Sequence, residues 1–330
     1  MNEFFRRYTG SLLGASMCLA TFMISCTMSH KSKIVDQENE NLSVEERKRM
    51  EELKAEMEVG RNMAGRLLEF YGVYENEDVV RYLNEIGSLV ASHSPFPDRR
   101  FMFDILNYDQ PNAFACPGGY ILISLGAIKN AKNEAELAAI LGHEIAHVGR
   151  QHMYKQLQSM NEDELDEMAE QSRKSNLPND IAIRKRPEPE DSEAISFLAR
   201  YMAGSVAGLN VLKAARAGMS LILEKGLGAD LEFEADTDGV RYAINAGYHP
   251  AALIEYLCRI ETSRTGKKQS CYQEPEKDRK KTILDRTHPP VSQRIDKIKS
   301  VLKEVDASRI VGAHGEKRFL HYKKRIAEHN

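Results

Sequence analysis

The sequence predicts a mostly helical chain with a little β-structure, on three observations. Apolar residues recur at helical spacing over much of the length. Only two short runs, 101–107 (FMFDILN) and 119–124 (GYILIS), read as strands, the second entered through Pro117-Gly118-Gly119. Hydrophobic residues make up 42% and charged residues 29% of 330 residues, enough apolar material for a real core. The same balance excludes a wholly disordered chain, a collagen and a multi-pass membrane protein. With 46 basic and 49 acidic side chains, net −3, no nucleic-acid partner is expected, because phosphate binding wants a concentrated basic surface.

The chain opens with Arg6 and Arg7 before an uncharged, mostly apolar run from Leu12 to Ile24. That run is too short to span a bilayer comfortably and suits the apolar part of a signal peptide. It ends in Met23-Ile24-Ser25-Cys26, which resembles a bacterial lipobox, where a small residue precedes a cysteine that is lipidated. Residues 1–25 are therefore expected to be a lipoprotein signal peptide and Cys26 the lipidation site. The polar stretch 26–42 reads as a tether to the membrane.

Ser43 and Glu46 form a capping box that starts a helix through Met50, Leu53, Met57, Met63 and Leu67. A second helix follows through Val79, Val80, Leu83, Ile86 and Val90, broken by Pro95 and Pro97. Asn133 with Glu136 caps a long helix expected to run past His152. Residues 155–193 are strongly charged and read as a solvated helix followed by a loop, or else as a flap over a site. Residues 194–223 are rich in Ala, Gly and Met, but Arg200, Lys213 and Arg216 interrupt them. A buried or amphipathic helix pair fits better there than a membrane span. After Pro289-Pro290 a helix carries Val291, Ile295, Ile298 and Val301 on one face. The folded domain is expected over 43–312, with 313–330 as a C-terminal tail.

The long helix from about 134 contains His143-Glu144-Ile145-Ala146-His147. Histidines at i and i+4 lie one turn apart on one face, so both imidazoles can reach a single zinc ion. Zinc lowers the pKa of a coordinated water toward ~7, and Glu144 stands where a carboxylate can take the proton. A zinc site of this kind needs a third protein ligand and an open fourth position. Glu232 and Asp236 are again i and i+4, so one carboxylate can bind the metal while the other orients a ligand or donates a proton. Spacing alone does not say which.

GHEIAHV, followed some 85 residues later by LEFEADTDGVRYAINAGYHP, resembles the zinc metallopeptidases of family M48. Asn112-Ala113-Phe114-Ala115-Cys116-Pro117-Gly118-Gly119-Tyr120 and Thr287-His288-Pro289 extend the match, in order, over most of the chain. The likeness is to the periplasmic BepA-like and LoiP-like lipoprotein branch. It implies an α+β, mostly helical zincin (gluzincin) fold with a small sheet beside the active-site helix. It implies one zinc ion per chain on His143, His147 and Glu232, with Glu144 as general base and Asp236 as auxiliary proton donor. An edge strand of the sheet would lie along the cleft. The run at 119–124 is the strand expected there, so Gly119, Tyr120, Ile121 and Leu122 would pair with an extended substrate.

The resemblance also places a His-Pro loop over the zinc, giving His288 a gating role or the fourth zinc position. The expected activity is endopeptidase hydrolysis of protein substrates, misfolded or stalled envelope proteins, by a lipid-anchored, periplasm-facing enzyme, with the outer membrane as the expected anchor. The competing reading is a gated or non-catalytic chaperone or assembly factor on the same fold.

Three further sites stand on their own residues. Cys258 and Cys271 can close a disulfide loop in an oxidising compartment, or remain unpaired thiols. His152 turns away from the metal face and reads as a surface histidine or one that supports a ligand. Cys116 reads as a small buried residue packing a turn rather than a latch on the zinc.

Overall fold

The computed structural model describes residues 43–174, 211–266, 270–273, 282–305 and 312–329. The signal segment 1–25, the tether with Cys26, and 175–193 of the charged stretch lie outside the described residues. The chain divides into two units, 1–52 and 53–330. Of the first unit the described part is 43–52, the opening of helix α1 (Val44–Tyr71). It starts as the capping box requires. The Glu46 carboxylate accepts from the Ser43 backbone N–H at 2.8 Å, and the Ser43 hydroxyl accepts from the Glu46 N–H at 3.2 Å.

Within the second unit, α1 buries Ala55, Val59, Met63 and Leu67. Helix α2 (Glu77–Ser92) begins at Asn76, whose side chain accepts from Val79 N, and buries Val79, Leu83, Ile86 and Val90. Three strands follow: β1 (Met102–Leu106), β2 (Ala113–Cys116) and β3 (Tyr120–Ser124). The sheet order is β1-β3-β2, with β3 parallel to β1 and antiparallel to β2. Gly118 and Gly119 turn β2 into β3 at φ of 74° and 108°, which an L side chain resists.

The strand expected at the cleft edge is therefore the central one. Ile121, Leu122 and Ile123 are all buried, so β3 is apolar on both faces, as a central strand must be. Its backbone is already paired on both sides, so Tyr120, Ile121 and Leu122 have no edge to offer a substrate strand, and Gly119 lies in the turn before it. The edges are β1 and β2, the latter four small or aromatic residues too short to stand out in the sequence.

Alternation along the strands divides two cores. Phe103, Ile105, Ile121 and Ile123 face a core built with α2 and the helices around the metal motif. Leu106, Phe114 and Leu122 face a second core with α1.

After the short helix α3 (Leu125–Asn130), Asn133 caps α4 (Glu134–Gly149) by accepting from Glu136 N at 3.0 Å. Every residue of α4 is buried, so this helix is the axis of the first core. It stops at Gly149 and does not run past His152. Gln151 takes a left-handed conformation (φ 59°) and a new helix, α5 (His152–Ser159), begins in another direction. Two contacts hold the break. Arg99 donates to Val148 O at 3.0 Å, and Glu56, fully buried on α1, binds both Arg99 and the Gln151 amide.

The acidic run forms α6 (Glu162–Lys174), joined by an ion pair from Asp166 to Lys213 on α7 (Val211–Ser220). A wide turn (Leu221–Lys225) leads to α8 (Ala229–Asn245), which crosses α4 closely. A Cβ on Gly142 would lie 2.5 Å from Gly239 O, and one on Gly239 would lie 2.4 Å from His143 N. Two facing glycines thus set the spacing of the two motif helices. Helix α9 (Ala252–Thr265) follows, and Cys258 and Cys271 are joined as a disulfide. Then come α10 (Ile283–Thr287), α11 (Val291–Leu302) and α12 (Glu316–His329).

The expected C-terminal tail is part of the core. Phe319 is fully buried, Tyr322 stacks on Tyr82 at 3.9 Å, and Arg318 pairs with Glu134. Tail residues on the apolar face of α12 have few neighbours in sequence to reveal this. Among the described residues no helix is long and apolar enough to cross a membrane.

Candidate metal centre

Helix α4 presents His143 and His147 from consecutive turns, with their Nε2 atoms 3.1 Å apart. Helix α8 brings Glu232 against them from its first turn. Its Oε2 is 3.4 Å from His143 Nε2 and its Oε1 is 3.5 Å from His147 Nε2. All three side chains are buried, and their ligand atoms lie within 4.8 Å of one another. The two Glu232 separations are too long for good hydrogen bonds, and Glu232 Oε2 is a buried oxygen with no hydrogen-bond partner.

Tetrahedral zinc with Zn–N bonds of ~2.0–2.1 Å sets two nitrogens about 3.3 Å apart, close to the spacing seen. The surroundings also favour positive charge. Burial alone would depress the His143 imidazole, yet Asp236 and Glu232 outweigh it and push it up to about 10. Two nitrogens and one carboxylate converging on a common point, with one oxygen otherwise orphaned, fit a zinc ion.

Each imidazole is steered from behind. His143 Nδ1 stands 2.9 Å from Asp236 Oδ1, in a contact oblique to its N–H direction. Asp236 is fully buried and gripped by Arg294, with Nε to Oδ2 at 2.9 Å and Nη2 to Oδ1 at 2.7 Å. Burial would raise the Asp236 carboxyl, but Arg294 and His143 outweigh it and hold it at about 2. A carboxylate placed behind His143 and bound by Arg294 is set where it can orient the imidazole.

His147 Nδ1 lies 3.0 Å from His152 Nδ1, and His152 Nε2 lies 2.9 Å from Glu234 Oε2. Burial, with His147 beside it, pushes the His152 imidazole down to about 4, so it is neutral. One tautomer set satisfies the chain. His147 Nδ1–H donates to His152, and His152 Nε2–H donates to Glu234, leaving His147 Nε2 bare as a metal ligand needs. Arg150 pairs with Glu234 at 2.9 Å and also binds Asp238. His152 therefore supports a ligand.

Glu144 is buried beside the histidines, and burial pushes its carboxyl above its ordinary value. It lines a cavity, open to solvent, together with His143, His288, Arg294, Asn112 and the first residue of β2, Ala113. His288 lies on extended backbone before Pro289, with Nδ1 2.8 Å from the Thr287 hydroxyl and Nε2 3.2 Å from Glu232 Oε2. Burial lowers its imidazole to about 3, so it too is neutral. It stands at the rim and is not among the three residues whose ligand atoms converge. Cys116 is buried in β2, where burial and the Glu144 charge push its thiol up, and no convergence with the zinc ligands includes it.

Arg294 escaped the sequence reading. It sits one residue before Ile295 on the face that also carries Val291 and Ile298, and a charge on a buried face demands a buried counter-charge. That signal was present, but the partner, 58 residues earlier, was not legible from spacing.

The family model described as Peptidase family M48 matches residues 77–302. The chain is 26% identical over 182 residues to the beta-barrel assembly-enhancing protease of Escherichia coli (strain K12), which covers 55% of this chain and 32% of that protein. It is 27% identical over 179 residues to a putative beta-barrel assembly-enhancing protease of Vibrio cholerae, 54% of this chain and 32% of that one. A shorter match, 31% over 71 residues, is to the mitochondrial metalloendopeptidase OMA1 of Schizosaccharomyces pombe, 22% of this chain and 21% of that protein. The chain thus spans about a third of the length of the bacterial relatives it matches.

Proposed function

The chain belongs to peptidase family M48, and from that premise we propose that it is a zinc-dependent endopeptidase with one zinc ion held by His143, His147 and Glu232. The observation that carries this reading is the convergence of three buried ligand atoms beside Glu144 at the wall of a cavity. Bound there, zinc supplies a Lewis acid that polarises the scissile carbonyl and acidifies the attacking water. Glu144 takes the proton of that water and hands it to the leaving amine. Asp236 with Arg294, and His152 with Glu234, keep the two imidazoles in the orientation the metal requires. The outer side of the edge strand β2 aligns an extended substrate by backbone hydrogen bonds.

The setting we propose is the bacterial envelope, with a lipid on Cys26 holding the enzyme on the periplasmic side of a membrane, the outer one in our reading. The Met23-Ile24-Ser25-Cys26 pattern supports the anchor, and relatives named beta-barrel assembly-enhancing proteases support envelope proteins as substrates. Residues 27–330, purified, should hold one zinc per chain by metal analysis and cleave casein in a chelator-sensitive way. A chain without zinc would remove the ligand set.

His288 favours a second element of the reading, a gated resting state. It is partly buried at the rim and 3.2 Å from Glu232, where it obstructs the approach to the ligands. His288→Ala should raise basal casein cleavage with zinc content unchanged. A zinc-loaded chain inert both with and without His288 would instead support a non-catalytic chaperone or assembly role.

A further inference from the structure

We infer that Glu56 is a positioning residue of the active site. Its buried carboxylate fixes the substrate-binding edge strand with one oxygen and the end of the metal-bearing helix with the other. This rests on the endopeptidase reading. It adds to that site a residue of α1, ahead of the stretch 77–302 that the family model matches.

Hydrogen bonds carry the first part of the argument. Glu56 is fully buried, and four donors converge on its two oxygens. Arg99 meets both, Nη1 to Oε1 at 2.6 Å and Nη2 to Oε2 at 3.0 Å, the two-pronged geometry of a strong arginine–carboxylate pair. Each oxygen then accepts one further bond. Oε1 takes the Gly118 backbone N–H at 3.0 Å, and Oε2 takes the Gln151 side-chain amide at 2.5 Å.

The Oε1 side reaches the edge strand. Gly118 lies in the turn that ends β2. A Cβ on Gly60 would lie 1.7 Å from Pro117 O, and one on Gly118 would lie 2.5 Å from Met57 Cα. Glu56 and Gly60 are i and i+4 on α1. One helix face thus carries both the carboxylate and the gap that lets the turn approach it. β2 and the turn also pack along α4. Holding the turn therefore holds one end of β2, while Ala113 at its other end lines the cavity beside Glu144.

The Oε2 side reaches the metal ligands. Gln151 occupies the left-handed turn between the last residue of α4 and His152. Arg99, while bound to Glu56, also donates to Val148 O at 3.0 Å and so fills one of the carbonyls that a helix end leaves open. His147 directly precedes Val148, and His152 directly follows Gln151. The break that Glu56 and Arg99 hold is what brings the Nδ1 atoms of those two histidines to 3.0 Å. Without the carboxylate, the Gly118 N–H and the Gln151 amide would lose their acceptor and Arg99 its counter-charge.

The test compares the zinc-loaded chain with its Glu56→Gln, Gln151→Met and Val59→Ala variants. Glu56→Gln keeps the size and turns one acceptor into a donor. Hydrogen exchange at the Gly118 amide should speed up about tenfold or more. In the same variant kcat/KM for a quenched fluorescent peptide should fall, and zinc transfer to a competing chelator should accelerate, each about 10- to 100-fold. Gln151→Met cuts only the Oε2 side. It should speed zinc transfer while leaving Gly118 exchange and, at saturating zinc, KM within about twofold of the wild type. Val59→Ala removes apolar burial from the same helix and touches neither side, so it shows what lost stability does alone. It should lower the melting temperature and leave zinc transfer and kcat/KM within about twofold of the wild type. Unchanged Gly118 exchange in Glu56→Gln, unchanged zinc transfer in Gln151→Met, or losses in Val59→Ala equal to those in Glu56→Gln would each overturn the assignment. Should Glu56→Gln fail to fold, zinc transfer in Gln151→Met against Val59→Ala decides it. If the zinc-loaded wild type cleaves nothing, the peptidase reading fails, and Gly118 exchange with zinc transfer still decides whether Glu56 positions the two elements.

Discussion

Asp236 and Glu232 share one face of α8, and their different fates come from their neighbours. Glu232 faces bare imidazole nitrogens, while Asp236 is closed in by Arg294 and His143. Replacing Asp236 with Asn keeps the shape and removes the charge that holds both groups. Zinc affinity should fall about 10- to 100-fold, as happens when a carboxylate supporting a ligand is lost. A chelator competition titration reads this directly. A proton donor would behave in the opposite way, with slower turnover at unchanged zinc affinity. His152→Ala should speed zinc loss in the same assay, because His147 then has nothing to fix its tautomer, and equal dissociation rates would argue that His152 only fills space.

The two motif helices touch through Gly142 and Gly239, and this contact places Glu232 against the histidines. Gly239→Ala inserts a methyl where His143 N already stands, so α8 must move away or strain. Overpacking of this kind costs about 1–3 kcal/mol. The melting temperature and the zinc content should fall together. Gly65, in α1, is a control with the opposite sign. Nothing lies within 4 Å of a Cβ there and the backbone is helical, so Gly65→Ala should stabilise by about 0.5–1 kcal/mol. If the two variants melt alike, the close crossing is not what sets the site.

The same elements show what could be read in advance. The capped starts of α1 and α4 and the i, i+4 motifs on α4 and α8 depend on residues a few positions apart, and these were legible. The strand order was not, because it depends on which partners meet across the sheet. The run at 120–124 announced a strand through its apolar residues, and their burial on both faces makes it central. The end of α4 was hidden for a related reason. Glu56 and Arg99, far away in sequence, hold Gln151 in its left-handed turn.

At the scale of the whole second unit, α12 closes the first core over Glu134, which binds Arg318, Tyr82 and Tyr248. Burial alone would raise the Glu134 carboxyl, but these partners outweigh it and hold it below its ordinary 4.5. A carboxyl lowered on folding stabilises fully above its unfolded pKa, and the contribution fades as pH falls through the folded value. The melting advantage of the wild type over Glu134→Gln should be greatest near neutrality and shrink on acidification below about 4.5. An advantage independent of pH would mean that the ionised carboxylate is not what ties α12 down. The central claim, that this unit hydrolyses peptide bonds with zinc on three ligands and Glu144 as base, is tested most directly by one rate. Peptide cleavage by zinc-loaded Glu144→Gln, compared with the wild type under the same conditions, should fall about 100- to 10,000-fold with one zinc per chain retained. A rate within about tenfold of the wild type, at full zinc occupancy, would contradict the account.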